Sequence, residues 1–207
     1  KGLDGITEVE ASIEEMAEAY LEEMIKVHPT GPYNILGTCM SNNVAFEIAK
    51  LLKKRNLPIN QLLIVDSGPP VIFNNEPLQP NYMKKSISML KNGRINKVAK
   101  LAYGVIKRKI SSKMTSLTPQ ELRMKQTNEK LSEILYYYKW EPAEVAITLI
   151  RSKQYTLERD KDYHIPFWEK HGLLGLQTAV VDVDHDDLFE GSEVDKLAKV
   201  VTSYINR

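Results

Sequence analysis

Residues 34–49 read Asn-Ile-Leu-Gly-Thr-Cys-Met-Ser-Asn-Asn-Val-Ala-Phe-Glu-Ile-Ala, and this stretch decides the fold. A short apolar run leads into a turn at residues 37–41, and a helical pattern follows the turn. The turn resembles a G-x-S-x-G nucleophile elbow, in which a tight strand-to-helix turn exposes the central side chain. Cys39, the chain's single cysteine, replaces the serine, and Ser41 replaces the second glycine. Taken alone, the turn therefore favours a small buried cysteine over a nucleophile.

The composition indicates one globular domain over residues 1–207, with a hydrophobic fraction of 43%. A single cysteine excludes an internal disulfide framework, and no apolar run approaches the length of a membrane span. Neither a signal peptide nor a transit peptide opens the chain. These features predict a cytoplasmic protein that does not enter a membrane.

Helical and strand patterns alternate along the chain, which predicts an α/β fold with a mainly parallel sheet. Ser12 opens a capping box, and apolar residues then recur at helical spacing. Continuous apolar runs indicate strands that are covered on both faces. The expected strands are residues 33–36, 62–65, 145–150 and 179–183, and the expected helices include residues 13–25, 43–52 and about 192–205.

The segment at residues 71–139 is too long for a simple crossover between strands. It contains two or three helical patterns. One of them begins at Thr118, a good helix cap, with proline at the first helical position. Such an insertion predicts a helical lid. Residues 77–120 also contain ten basic residues and no acidic one, although the net charge of the chain is only +1. This segment is therefore either a cationic docking surface or a solvated helix face.

Three residues with catalytic chemistry follow three of the expected strands. Cys39 follows the first, Asp66 the second and His185 the last, which is the nucleophile, acid, histidine order of an α/β-hydrolase triad. His185 would take the proton from Cys39 and later return it. Asp66 would hold the imidazole in the required tautomer and stabilise its charged form.

Other interpretations of these residues remain open on spacing alone. Asp66 could cap the proline-rich loop that follows it, and the acidic residues around His185 could bind a cation, although their consecutive positions match no known metal pattern. His28, His164 and His171 compete for the role of base. His28 precedes the elbow strand and is expected at the opposite edge of the sheet, while His164 and His171 are expected in loops.

Several segments in the same order resemble the thioesterase domains that end nonribosomal peptide and polyketide synthases. The resemblance runs from Gly2 to the C-terminus, and Trp168 sits where a tryptophan often precedes the last strand. It implies an α/β-hydrolase fold with a lid insertion, and it favours Cys39 as the nucleophile in place of the usual serine. The matching segments are residues 12–17, 31–37, 64–67 and 184–188.

The resemblance also implies the activity. Such a domain releases an acyl or peptidyl chain from the phosphopantetheine arm of an upstream carrier protein, by hydrolysis or cyclisation, and binds no cofactor of its own. The amide of Met40 is expected in the oxyanion hole, and the family's first strands would precede Lys1, so the domain is expected to be N-terminally incomplete. Candidate residues for binding the substrate or the acidic carrier are Ser67, Lys97, Lys100, Lys107 and Arg108.

Two further function classes stay open. One is a stand-alone ester or thioester hydrolase of the same fold, and the other is a non-catalytic interaction domain with a decayed elbow. Nucleic acid is not an expected partner, because the basic segment lacks interleaved aromatic residues and any known binding motif. The sequence specifies neither the acyl chain nor the released product.

Overall fold

The computed structural model describes residues 9–39, 41–67, 118–153 and 164–206. Residues 1–71 and 128–207 form one compact unit, and residues 72–127 form a second. Of the second unit, only residues 118–127 lie within the described ranges. The predicted lid at residues 71–139 is therefore described only from residue 118 onward. Predictions on five residues lie outside the described residues, namely those on Met40, Lys97, Lys100, Lys107 and Arg108.

The described helices and strands alternate as the sequence predicts. In chain order they are α1 (Ile13–Val27), β1 (Tyr33–Thr38), α2 (Ser41–Lys54), β2 (Ile59–Val65), α3 (Pro119–Tyr137), β3 (Ile147–Ser152), α4 (His164–His171), β4 (Leu176–Val181), a short 3-10 helix (His185–Asp187) and α5 (Glu193–Ile205). None of the helices in these ranges is both long and apolar enough to cross a membrane.

The four strands form one parallel sheet in the order β1-β2-β3-β4. Leu36 pairs with Leu63, and Ile150 pairs with Ala179. Because all four strands run in the same direction, their carboxyl ends lie at one edge of the sheet. This edge is where open α/β sheets collect their functional groups. The predicted parallel sheet with flanking helices is confirmed.

Helices cover both faces of the central strands. In β2, Leu62 and Ile64 pack into a core with α1 and α2, whereas Leu63 and Val65 pack into a second core with α5. Successive side chains of a strand point to opposite faces, so a strand buried on both faces must be apolar throughout. This arrangement explains the continuous apolar run of β2. β1 alternates instead, with its second and fourth residues exposed.

Ser12 and Thr118 both cap the helices that the sequence predicts after them. Ser12 Oγ accepts from the Glu15 amide at 3.1 Å, and Thr118 Oγ1 accepts from the Glu121 amide at 3.2 Å. The carboxylate of Glu121 accepts in return from the Thr118 amide at 2.9 Å. Each side chain therefore satisfies an amide that the first helical turn leaves without a partner.

The predicted bounds of the last two strands are wrong by two or three residues. β3 starts at Ile147 and β4 ends at Val181, yet Val145 and Val183 beyond these ends are buried, at 2% and 3% exposure. Both residues pack into the core just outside the ends of their strands. An apolar run indicates burial, and here burial extends past the start of β3 and the end of β4.

A buried carboxylate joins α2 to the residue that follows α3. Glu47 is 4% exposed, and its Oε1 accepts from Tyr138 Oη at 2.5 Å and from Lys50 Nζ at 2.7 Å. Burial, followed by the hydrogen bond to Glu47, raises the pKa of Tyr138. The folded state therefore favours the neutral phenol, and this stabilisation is complete below the ordinary tyrosine pKa of about 10 and declines at higher pH.

We expect Tyr138→Phe to lower the free energy of unfolding by about 1.5–3 kcal/mol at neutral pH, because the buried Glu47 carboxylate loses a donor. The variant should also lose less stability than the wild type as the pH rises above about 10, since it lacks the perturbed phenol. Urea unfolding at several pH values measures both effects. Tyr137→Phe is the control, because Tyr137 is 69% exposed. Equal losses in the two variants would contradict the assignment.

Candidate active site

Cys39 occupies a strand-to-helix turn with the geometry of a nucleophile elbow. β1 ends at Thr38 and α2 begins at Ser41, and Cys39 between them has a φ of 49°. This left-handed conformation is strained for a residue with a side chain, and strain of this kind is common at functional sites. The Cys39 side chain is exposed. The turn therefore presents a thiol at the carboxyl edge of the sheet.

Gly37 allows α2 to approach β1 closely. A methyl group at this position would lie 2.8 Å from Ala45 Cβ and 2.8 Å from Asn42 Oδ1, which is closer than real side chains pack. Ser41 stands where the expected motif has glycine, and its side chain bonds to the backbone of Thr38. Its hydroxyl donates to the Thr38 carbonyl at 2.8 Å and accepts from the Thr38 amide at 2.9 Å. The serine therefore ties the start of α2 to the end of β1.

Asp66 is held rigidly at the end of β2. It has a φ of 49° and is 5% exposed, and its amide donates to the Ile150 carbonyl at 2.8 Å. Its Oδ1 accepts from the Ser152 amide at 2.8 Å. The neighbouring strand β3 therefore holds both the backbone and the carboxylate of Asp66. The second carboxylate oxygen, Oδ2, is directed to His185.

The imidazole of His185 contacts this carboxylate. His185 begins the 3-10 helix that follows β4, its side chain is 41% exposed, and its Nδ1 lies 2.8 Å from Asp66 Oδ2. A carboxylate can only accept, so Nδ1 carries the hydrogen and, in the neutral ring, Nε2 is the basic nitrogen. This is the tautomer that a general base requires.

The segment after β2 also contacts the elbow. Ser67, which the sequence predicts as a substrate or carrier contact, is 9% exposed, and its Oγ donates to the Cys39 carbonyl at 3.3 Å. Its own carbonyl accepts from Trp168 Nε1 at 2.7 Å. Trp168 is fully buried. A buried ring of α4 thus supports the segment that carries Asp66 and Ser67.

The competing histidines lie elsewhere. His28 follows α1, and its carbonyl accepts from the hydroxyl of Tyr33, the first residue of β1, so it lies at the amino end of that strand as predicted. The expectation that His164 and His171 lie in loops is wrong, because they begin and end α4. His171 is buried, and its Nδ1 lies 2.7 Å from the Phe167 carbonyl. Trp168 in this helix is fully buried, and such a tertiary contact leaves no signal in the local pattern.

Within the described ranges, no group of three histidine, cysteine, aspartate or glutamate side chains is arranged to hold a metal ion. Three contacts of the site were not expected from the sequence. They are the Ser152 amide on Asp66, the Trp168 indole on Ser67, and the side-chain amide of Asn42 on the Cys39 carbonyl at 2.6 Å. The first contact involves a backbone amide, which leaves no signal in the sequence.

Comparison with known families identifies the chain. The family model described as the thioesterase domain matches residues 5–204. The chain therefore belongs to the thioesterase domain family, whose members are hydrolases.

Relatives of known name are large synthases. The chain is 40% identical over 67 residues to malpibaldin synthetase of Mortierella alpina, covering 32% of this chain and 1% of that protein. It is 32% identical over 78 residues to the conidial pigment polyketide synthase PfmaE of Pestalotiopsis fici, covering 38% of this chain and 4% of that protein. The chain thus spans only a few per cent of these relatives.

Solved thioesterase structures share the fold. The NocB thioesterase domain, in covalent complex with a fluorophosphonate nocardicin G analog, aligns over 95% of this chain and 76% of its own, with a TM-score of 0.64 and 19% identity. SrfTE, the thioesterase domain that cyclises the lipopeptide antibiotic surfactin, aligns over 94% and 76%, with a TM-score of 0.59 and 17% identity. These matches establish an α/β-hydrolase-like thioesterase fold.

We expect Asp66→Asn to reduce the turnover of a small acyl thioester by about 10⁴-fold, the size of effect that follows when a triad histidine is held in the wrong tautomer. Asparagine offers one acceptor where the site needs two, for the Ser152 amide and for His185 Nδ1. Thiol release, followed spectrophotometrically, measures the rate.

The matched control is Asp182→Asn, which removes an exposed carboxylate paired with Lys153. This variant should retain the wild-type rate. Retention of that rate by Asp66→Asn as well would show that the carboxylate does not orient a catalytic histidine.

Proposed function

We propose that this domain releases an acyl or peptidyl chain from the phosphopantetheine arm of a carrier protein, through an acyl intermediate on Cys39. The observation that carries the proposal is the hydrogen bond between Asp66 and His185 at the sheet edge where the elbow exposes Cys39. Membership of the thioesterase domain family supports the same reaction class.

In the acylation step, Cys39 Sγ attacks the thioester carbonyl and its proton passes to Nε2 of His185. Asp66 stabilises the imidazolium through the bond at Nδ1. The tetrahedral intermediate then collapses, the bond to the pantetheine sulfur breaks, and His185 returns the proton to the departing thiol. The product is a new thioester between the chain and Cys39.

In the release step, His185 takes a proton from the incoming nucleophile, which is water in hydrolysis or a group of the bound chain in cyclisation. The nucleophile attacks the acyl-Cys39 carbonyl, and the bond to Sγ breaks. The proton on His185 then restores the Cys39 thiol. A thiolate leaves more readily than an alkoxide, so a cysteine intermediate favours release by weak nucleophiles.

The proposed delivery by a carrier protein is supported by the nature of the relatives. They are named synthetases and polyketide synthases, and a four-domain nonribosomal peptide synthetase aligns with a TM-score of 0.64 and 20% identity. The basic residues at 77–120 supply a charge that would attract an acidic carrier and the phosphate of its arm. The substrate arrives on phosphopantetheine, and the domain needs no cofactor of its own.

A working pair of Cys39 and His185 predicts a thiol whose reactivity depends on the histidine. Because the chain has a single cysteine, iodoacetamide labels one defined site. We expect His185→Ala to slow alkylation near neutral pH by about tenfold or more, since the imidazole no longer takes the thiol proton. Intact-protein mass spectrometry follows the rate.

His28→Ala is the matched control, because His28 lies at the amino end of β1, and this variant should be alkylated at the wild-type rate. Equal alkylation of the wild type and His185→Ala would favour the alternative of a non-catalytic domain with a decayed elbow.

The basic segment predicts charge-dependent docking. We expect Glu replacements at Lys97, Lys100, Lys107 and Arg108 together to weaken binding of an acidic carrier domain at least about tenfold, with a reduced dependence on salt. Turnover of a small acyl thioester should not change. Titration calorimetry measures the first quantity and a spectrophotometric assay the second, and Lys53→Glu with Lys54→Glu on α2 is the control. Unchanged carrier binding would contradict this docking surface.

A further inference from the structure

The carbonyl oxygen of Cys39 accepts hydrogen bonds from two side chains. Asn42 Nδ2 donates at 2.6 Å from the first turn of α2, and Ser67 Oγ donates at 3.3 Å from the segment after β2. The backbone N–H of Asn42 also faces this oxygen, with the nitrogen 3.4 Å away. A carbonyl oxygen has two lone pairs, so these donors occupy its full capacity.

Asn42 is a costly residue for its position. It is 1% exposed, and its Oδ1 has no hydrogen-bond partner among the described residues. Because the Cys39 carbonyl can only accept, the atom that faces it must be the amide nitrogen, which leaves Oδ1 on the apolar side. A buried acceptor without a partner destabilises the fold, and leucine would fill a similar volume without that penalty. The bond from Nδ2 to Cys39 is the gain that offsets this penalty.

Ser67 is aimed at the same oxygen by a rigid support. Its carbonyl accepts from Trp168 Nε1 at 2.7 Å, and the Trp168 ring is fully buried. The ring packs against Phe46 of α2, with centroids 5.9 Å apart. The donor at Ser67 and the helix that carries Asn42 therefore rest on one aromatic core.

We propose that Asn42 and Ser67 are positioning residues for the oxyanion hole, because they hold and polarise the peptide group that follows Cys39. This inference rests on the proposed function. A trans peptide is planar, with its carbonyl and amide hydrogen on opposite sides, so holding the carbonyl also sets the direction of the amide. Hydrogen bonds into a carbonyl polarise the peptide and make its N–H a stronger donor. That N–H belongs to Met40, and the resemblance to thioesterase domains implies that it donates to the oxyanion of the transition state.

Two reactions of Cys39 separate this role from a merely structural one. Acylation by a thioester passes through a tetrahedral oxyanion and needs the amide donor. Alkylation by iodoacetamide is a direct displacement without an oxyanion, and it needs only an accessible thiol and its base. Loss of the positioning bonds should therefore slow acylation and leave alkylation unchanged.

The experiment measures both rates in the wild type, Asn42→Leu, Asn42→Asp, Ser67→Ala and Ser67→Thr. The acyl donor is a short acyl thioester of N-acetylcysteamine, and intact-protein mass spectrometry follows both adducts. We expect acylation to fall about 10- to 100-fold in both Asn42 variants, which is less than the loss of a direct oxyanion donor. Ser67→Ala, which loses the longer bond, should show a smaller decrease, and Ser67→Thr should restore the rate because it keeps the hydroxyl. Alkylation should retain its wild-type rate and pH profile in Asn42→Leu and in both Ser67 variants, which add no charge near the thiol.

Asn43→Leu is the matched control. Asn43 is the next residue of α2 and is also buried, at 6% exposure, and the substitution removes the same side-chain amide. This variant should acylate at the wild-type rate. Parallel losses of acylation and alkylation in the Asn42 and Ser67 variants would overturn the inference in favour of a general structural role, and so would unchanged acylation. If the wild type is alkylated in a His185-dependent manner but takes no acyl group, the proposed function fails and the inference fails with it.

Discussion

The site depends on the buried carboxylate of Asp66. One of its oxygens accepts from the Ser152 amide and the other contacts His185 Nδ1, so a single side chain links β2, β3 and the segment after β4. This linkage is possible because parallel strands end at one edge and bring residues that are far apart in the chain together. The distance from Asp66 to His185 spans 119 residues of sequence. The parallel sheet thus brings the site residues together at one edge.

The elbow shows how local strain is maintained by its neighbours. Cys39 adopts a left-handed conformation. Gly37 has no side chain and so lets α2 approach the turn closely. The Ser41 hydroxyl makes two hydrogen bonds to Thr38, and the side-chain amide of Asn42 donates to the Cys39 carbonyl. A strained backbone persists only where several contacts determine it together. Ser41, which replaces the second glycine of the expected motif, and Asn42 are therefore part of the support for this turn.

The sequence predicts the class of fold because its signals are local. Apolar runs, helix caps and turn residues near Cys39 indicate helices and strands in an order typical of a mainly parallel α/β sheet. The chain order of Cys39, Asp66 and His185 indicates a triad. The remaining features depend on packing between distant segments. The α4 helix at His164–His171 forms around a buried Trp168, the apolar run at Val183 extends past its strand, and the Asn42 bond requires the turn already to be closed. No window of neighbouring residues contains that information.

The mass of the intact protein after brief incubation with an acyl thioester tests the central claim most directly. The account predicts that the wild type gains the mass of one acyl group, that peptide mapping places this group on Cys39, and that Cys39→Ala gains none and does not release thiol. The account is contradicted if Cys39→Ala consumes the thioester at the wild-type rate, or if the acyl group is found on a different residue.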